Sequence, residues 1–172
     1  MREYKIALDV DDCLAGFYPA MCKKFNRPEF QVDIWDAEVD CKWVAQKFPE
    51  LYNNIGFWKH LPILSDPNSI TFDVDCYITA LPNSLGLLRK CWLNDNGFPD
   101  RPLICETGSK VDIMQSRGID VLIDDKPSTI RAVREAGLVG IQFVPAYMNN
   151  YDRNDPHTIR HLSEVTNILN NL

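Results

Sequence analysis

The sequence predicts an α/β fold: a doubly wound, Rossmann-like parallel sheet of five strands, with a small helical cap inserted after the first strand. Three observations lead there. Short apolar runs bounded by turn residues recur along the 172 residues, segments of helical spacing separate the later runs, and one long stretch interrupts the alternation. Strands alternating with helices imply a parallel sheet covered on both faces, because right-handed crossovers place the connecting helices there.

The apolar runs are Tyr4–Leu8, Val74–Thr79, Leu103–Cys105, Val121–Ile123 and Val139–Val144, each of strand rather than helix length. The helical segments between them carry Leu85, Leu88, Trp92 and Leu93 ahead of Gly97, then Val111, Ile113 and Met114 ahead of Gly118, then Ile130, Val133 and Ala136 ahead of Gly137. Each stops near a glycine, which accepts the left-handed conformation past a helix end. A last stripe, Ile159, Leu162, Val165 and Leu169, predicts a closing helix with Arg160 and Glu164 on its outer face.

Between Leu14 and Ile70 no run reads as a strand; helical patches at Tyr18–Phe25 and Val39–Phe48 are joined by proline-containing turns. Residues 17–69 are therefore expected to form the cap, and residues 1–16 with 70–172 the core. The cap span holds ten of the 18 aromatic residues (4 Trp, 6 Tyr and 8 Phe in all), among them Phe30 and Trp35.

The formal charge is −6 and 45% of residues are apolar, which describes an acidic protein with material for a core. That charge, with no Lys/Arg stripe, argues against a grip on long nucleic acids. Asp9, Asp11 and Asp12 interrupt the first apolar run, so no secretory signal is read there. The stretch from Ala136 to Met148 contains Gln142 and Pro145 and falls short of the roughly 20 residues needed to cross a bilayer. A cytoplasmic protein with no membrane partner is expected. The six cysteines, Cys13, Cys22, Cys41, Cys76, Cys91 and Cys105, show no CxxC spacing and are read as reduced thiols, mostly buried.

In doubly wound sheets ligands bind beyond the carboxyl ends of the strands, where the winding reverses. The first strand ends in Asp9-Val10-Asp11-Asp12, and positions two apart in an extended chain share a face. Two such carboxylates are tolerable with a cation between them, or with one kept protonated as an acid. The fourth strand ends in Asp124-Asp125, so up to five carboxylates collect at one edge. Mg²⁺, a hard ion that takes oxygen ligands, is the natural neutraliser. Thr79, ending the second strand, offers a hydroxyl donor, and Lys110, opening the helix after the third, offers an ammonium. A nucleophile, an acid, a metal site, a donor and a cation suit phosphoryl transfer.

Asp9-Val10-Asp11, Thr79, Lys110 and Asp124-Asp125, in that order and each at a strand end or helix start, resemble the four motifs of the haloacid dehalogenase-like phosphohydrolases. The match spans residues 4–16 and 70–144. Asp9 through Leu14-Ala15-Gly16-Phe17, and Gly56-Phe57-Trp58-Lys59-His60-Leu61-Pro62, are similar to segments of that superfamily's 5'(3')-deoxyribonucleotidases. This chain has Asp12 where that family usually has Gly, Gly16 where it often has Asp, and Ala80 where a Ser usually follows the Thr.

The resemblance implies that Asp9 attacks phosphorus and that Asp11 protonates the leaving oxygen and then activates water. It implies Mg²⁺ held by Asp9, the Asp11 main-chain carbonyl and Asp124, with Asp125 acting directly or through water. It places Phe17, Phe57, Trp58 and Ala80 around the substrate, a small phosphomonoester such as a 5'-nucleotide or deoxynucleotide. Plainer readings stand beside these: Thr79 as a β-branched strand residue, Lys110 as a surface lysine, Asp125 as turn chemistry before Lys126-Pro127, and the aromatics as cap core. Competing functions are a phospho-accepting receiver-like domain, a phosphatase acting on polynucleotide ends or sugars, and a nucleotide-binding relative without turnover. Oligomeric state is not legible.

Overall fold

A computed structural model of the chain describes residues 4–28, 38–148 and 151–172, the side chains of residues 38–41 excepted. Phe30 and Trp35, and the side chain of Cys41, lie outside the described residues.

The strands are β1 (Ile6–Leu8), β2 (Cys76–Thr79), β3 (Leu103–Cys105), β4 (Val121–Asp124), β5 (Val139–Phe143) and β6 (Thr158–Ile159), all parallel, in the order β3-β2-β1-β4-β5-β6. Winding proceeds outward from β1 through β2 to β3, then returns past β1 to β4. The reversal therefore lies between β1 and β4, paired with Leu8 opposite Ile123.

Side-chain alternation along the strands divides the core in two. Ile6, Leu8, Tyr77, Val121, Ile123 and Ile141 face one way, against helix α4 (Asn83–Asp95) through Leu85, Trp92 and Leu93 and against α7 (Val165–Leu169). Ala7, Ile78 and Leu122 face the other way, against α5 (Lys110–Arg117) and α6 (Pro127–Glu135) through Met114 and Val133. Gly118 ends α5 at φ +63° and Gly137 follows α6 at φ +77°, the left-handed exits that the sequence predicts.

Among the described residues the sheet has six strands, not five. Asp155 holds the extra strand: its carboxylate accepts from the His157 backbone N–H, the Thr158 hydroxyl and Arg134. Two residues are too few to display a period of two. The expected closing helix is correspondingly broken. Ile159 lies on β6, Leu162–Glu164 forms a 3₁₀ turn, and only Val165–Leu169 is α-helical. Ile159, Leu162 and Val165 are all buried, so the stripe marks burial that one helix does not supply. Glu164, expected on an outer face, accepts backbone N–H groups of Arg160 and His161 and fixes this turn.

Among the described residues of the interrupting stretch are the α-helices α1 (Phe17–Lys24), α2 (Glu38–Leu51) and α3 (Ile55–Lys59) and a 3₁₀ turn, Pro67–Ser69. The stretch is not helical to its end. Ile63 bridges antiparallel to Ala15, the Gly16 N–H donates to Pro62 O at 2.9 Å, and the Leu64 N–H donates to Leu14 O at 2.7 Å. A Cβ on Gly16 would lie 3.1 Å from Pro62 Cγ, so the close approach of these segments favours glycine there.

Cys13, Cys22 and Cys76 are buried free thiols and Cys91 is exposed. Among the described residues no helix is long and apolar enough to cross a membrane.

Candidate active site

The carboxyl ends of β1 and β4 carry the acidic residues to the winding reversal. The Asp9 N–H donates to Ile123 O at 2.9 Å, which extends the strand pairing by one residue and sets Asp9 beside Asp124. Asp9, Asp12, Asp124 and Asp125 are buried, each less than 5% exposed, and Asp11 is half-buried.

Lys110, the first residue of α5, reaches back into this cluster and donates to Asp9 Oδ1 at 2.5 Å and Asp124 Oδ2 at 2.6 Å. Burial opposes its charge, but Asp124 and Asp9 outweigh burial and push its pKa up. Ser109 caps α5 by accepting from the Asp112 N–H at 3.4 Å. Asp124 Oδ1 accepts from the Lys126 N–H at 2.8 Å, so both oxygens of Asp124 are engaged.

The carboxylates lack an equal supply of cations. Burial first, then Asp124 and Asp11, push Asp9 up to about 7 despite Lys110. Burial and neighbouring acids push Asp12 up to about 8, although its carboxylate accepts from the Tyr18 N–H at 3.0 Å and interacts with the Tyr147 hydroxyl. Asp125 lies well above the carboxylate range through burial and Asp124, and its Oδ2 has no hydrogen-bond partner.

Ligand atoms of Asp9, Cys13 and Asp125 come within 4.8 Å of one another. Burial raises the Cys13 thiol far above its ordinary value, with Asp125 and Asp9 adding to the effect. Thiols are soft ligands, so the donor set for a hard cation is the carboxylate oxygens. An orphaned, desolvated oxygen on Asp125 beside Asp9 fits such an ion.

Asp11 is engaged separately. Thr79 Oγ1 donates to its Oδ2 at 2.7 Å, and Arg89 Nη2 donates to its Oδ1. The structure thus brings Asp9, Lys110, Asp124 and Asp125 together and joins Thr79 to Asp11 alongside them.

A cavity of about 550 Å³ opens over these groups. Phe17, Val44 and Phe48 form an apolar wall, and Thr107, Ser109, Lys126, Ser128 and Thr129 supply a polar side. Phe17 and Ala80 line it; Phe57 and Trp58 do not. Trp58 is buried behind Phe17, stacked at 5.8 Å, with its indole N–H on Leu51 O. Phe57 lies at a different cleft with Pro19, Lys23 and His60. The wall that sequence reasoning placed on Phe57 and Trp58 is supplied by α2.

Two buried charged residues escaped sequence reasoning in their present roles. Arg89 follows Leu85 by four and precedes Trp92 by three, the inward positions of α4, and a charge at inward helical spacing is a readable signal. Asp12 has φ +59°, a conformation that glycine adopts freely and Asp tolerates better than most residues.

No protein-family model matches the sequence, and no curated protein is significantly similar to it. Solved structures share its fold. An L-2-haloacid dehalogenase matches with a TM-score of 0.62 and 13% identity, over 98% of this chain and 100% of its own. A haloacid dehalogenase-like family hydrolase from Xanthomonas campestris matches with a TM-score of 0.57 and 12% identity, over 98% and 95%. A HAD-superfamily hydrolase of subfamily IA from Geobacter sulfurreducens matches at 0.53 and 11%, over 97% and 100%. The chain therefore has the Rossmann-like fold seen in haloacid dehalogenase-like hydrolases.

Proposed function

We propose that the protein is a Mg²⁺-dependent phosphomonoesterase that hydrolyses a small phosphorylated metabolite, a 5'-nucleotide or deoxynucleotide by preference, through an aspartyl-phosphate. The observation that carries this reading is the Asp9 carboxylate held by Lys110 at the winding reversal, beside the unpartnered oxygen of Asp125.

An oxygen of Asp9 attacks phosphorus, forming the acyl phosphate as the bond to the leaving oxygen breaks, and Asp11 gives that oxygen its proton. Asp11 then takes a proton from water as the water attacks phosphorus, which returns Asp9 and releases inorganic phosphate. Lys110 favours the ionised form of Asp9 against the burial that opposes it, and would lie beside the incoming phosphoryl group. Asp9 and Asp125, with Asp124 and the Asp11 carbonyl by resemblance, would hold Mg²⁺. The ion would supply positive charge against the phosphoryl oxygens and favour ionised carboxylates.

The cavity volume suits one small ligand, and the Phe17, Val44 and Phe48 wall offers an apolar surface to a nucleobase. A receiver-like domain fits less well: receivers of the flavodoxin-like class have the strand order 2-1-3-4-5, whereas this sheet runs 3-2-1-4-5-6. Helices α1 to α3 act in this reading as the cap over the core.

Phosphate release from a panel of ribo- and deoxyribonucleoside monophosphates, sugar phosphates and a 3'-phosphorylated oligonucleotide tests the proposal. Mg²⁺-dependent release from nucleoside monophosphates, abolished by Asp9→Asn, is expected. Full activity in Asp9→Asn or in EDTA would overturn it.

A further inference from the structure

Arg89 is the most completely buried cation among the described residues, with its side chain 0% exposed. Isolated charge in an apolar core is costly, and a hydrophobic side chain of equal volume usually serves stability as well or better. Arg89 nevertheless lies between two indoles, with its guanidinium carbon 5.5 Å from the Trp58 ring and 5.7 Å from the Trp92 ring. Nε and Nη1 have no hydrogen-bond partner, and Nη2 donates to Asp11 Oδ1.

The surroundings explain how the guanidinium is held still. The Trp92 indole N–H donates to Leu61 O at 3.0 Å and that of Trp58 to Leu51 O at 2.9 Å, so both rings are fixed by backbone carbonyls. The aromatic faces offset part of the desolvation of the cation. Its one hydrogen bond therefore comes from a rigid mount. On the other oxygen, Thr79 Oγ1 donates from the end of β2. Asp11, on the loop after β1, is thus aimed by two donors that belong to neither its own strand nor its own loop.

We propose that Arg89 is a positioning residue that fixes the orientation of the Asp11 carboxyl for proton transfer to the leaving group. The assignment rests on the phosphatase reading above. Its contribution is one of aim: Arg89 and Thr79 each hold one oxygen of the Asp11 carboxyl. Misplacing a catalytic group by about 1 Å costs on the order of a hundredfold in rate.

Phenyl phosphate and p-nitrophenyl phosphate test this in Arg89→Met, which keeps the stem and volume but removes the charge. The two esters have similar size and the same phosphoryl group, but phenolate needs a proton to depart far more than nitrophenolate does. The expected result is a fall in kcat/KM for phenyl phosphate roughly tenfold or more beyond the fall for p-nitrophenyl phosphate. Arg89→Lys should recover part of that difference, since it restores a donor without the planar fork. The ratio between substrates does not depend on the folded fraction, so poor folding cannot imitate the effect. Equal losses, no loss, or a selective gain with phenyl phosphate would overturn the assignment alone. A wild-type protein that releases phosphate from neither ester nor any nucleoside monophosphate, sugar phosphate or 3'-phosphorylated oligonucleotide would overturn the phosphatase reading, and the assignment with it.

Discussion

The Lys110 ammonium lies 2.5 Å from Asp9 Oδ1, joining groups 101 residues apart in the chain, and the same nitrogen lies 2.6 Å from Asp124 Oδ2. All three side chains are at least nine-tenths buried. One cation therefore stands between two carboxylates that would otherwise repel in a low-dielectric site. Removing one partner of a buried pair leaves an uncompensated charge, at about 3–5 kcal/mol.

Lys110→Met is therefore expected to lower the melting temperature by roughly 6–20 °C, taking about 2–4 °C per kcal/mol for a chain of this size. It should also reduce phosphate release at least about a hundredfold. Differential scanning calorimetry with a phosphate assay checks both; a melting temperature within about two degrees of wild type would contradict the pairing.

The strand-end acids, Thr79 and Lys110 were legible in the sequence because each closes an apolar run or opens a helical one, so topology alone delivers them to one sheet edge. Arg89 was not, because it sits inside an apolar stripe where only three-dimensional packing shows that it points at Asp11. Strand β6 was missed for a different reason. Its two residues are held extended by the side chain of Asp155, a contact that leaves no period in the sequence. The apolar wall fell to Phe48 and Val44 instead of Phe57 and Trp58, since an aromatic cluster in sequence does not say which ring faces the cavity and which backs it.

The raised carboxyls make stability depend on pH. Asp9 titrates near 7 and Asp12 near 8 in the folded protein, both lifted chiefly by burial, whereas the unfolded chain releases these protons near about 3.9. At low pH both states hold the protons and nothing is lost. As pH rises, the unfolded chain ionises first and gains, so folded stability falls from about pH 4 through the folded values and then levels off. The melting temperature in EDTA should decline across that window. Mg²⁺ favours the ionised forms, so its stabilising effect should grow with pH and its binding near neutrality should release protons. Calorimetry in two buffers of different ionisation enthalpy measures that release; none would exclude an ion at Asp9.

Helix α6, which follows Asp124, Asp125 and Lys126 directly in the chain, packs on β5. A Cβ on Gly140 of β5 would lie 3.0 Å from Ile130 O, 3.2 Å from Ile130 Cγ2 and 3.3 Å from Arg134 Cγ. The nearest atom is helix backbone, which cannot swing aside as a side-chain tip does. Gly140→Ala should destabilise by about 1–3 kcal/mol, and by displacing the start of α6 it should lower phosphate release more than the folded fraction accounts for. Denaturant unfolding beside activity per folded molecule reads both effects, and unchanged stability would show that the helix shifts freely.

Asp12 combines a left-handed backbone, φ +59°, with a buried carboxyl pushed up to about 8. Asparagine tolerates that backbone as well as Asp does, and its carbonyl oxygen can accept from the Tyr18 N–H as Asp12 Oδ1 does now. Asp12→Asn therefore removes a costly charge while keeping the turn. Because the folded pKa is raised, the burden is absent below about pH 4, grows as pH rises from there to the folded value, and then levels off. The variant should melt at nearly the wild-type temperature near about pH 4 and above it near about pH 9, with the gap opening between. Asp12→Ala, which loses the acceptor and strains the backbone, should melt below wild type at both. Thermal denaturation of the three proteins across that range in EDTA separates charge from conformation; an Asn variant less stable than wild type at the high-pH end would show that the ionised carboxylate holds this turn together.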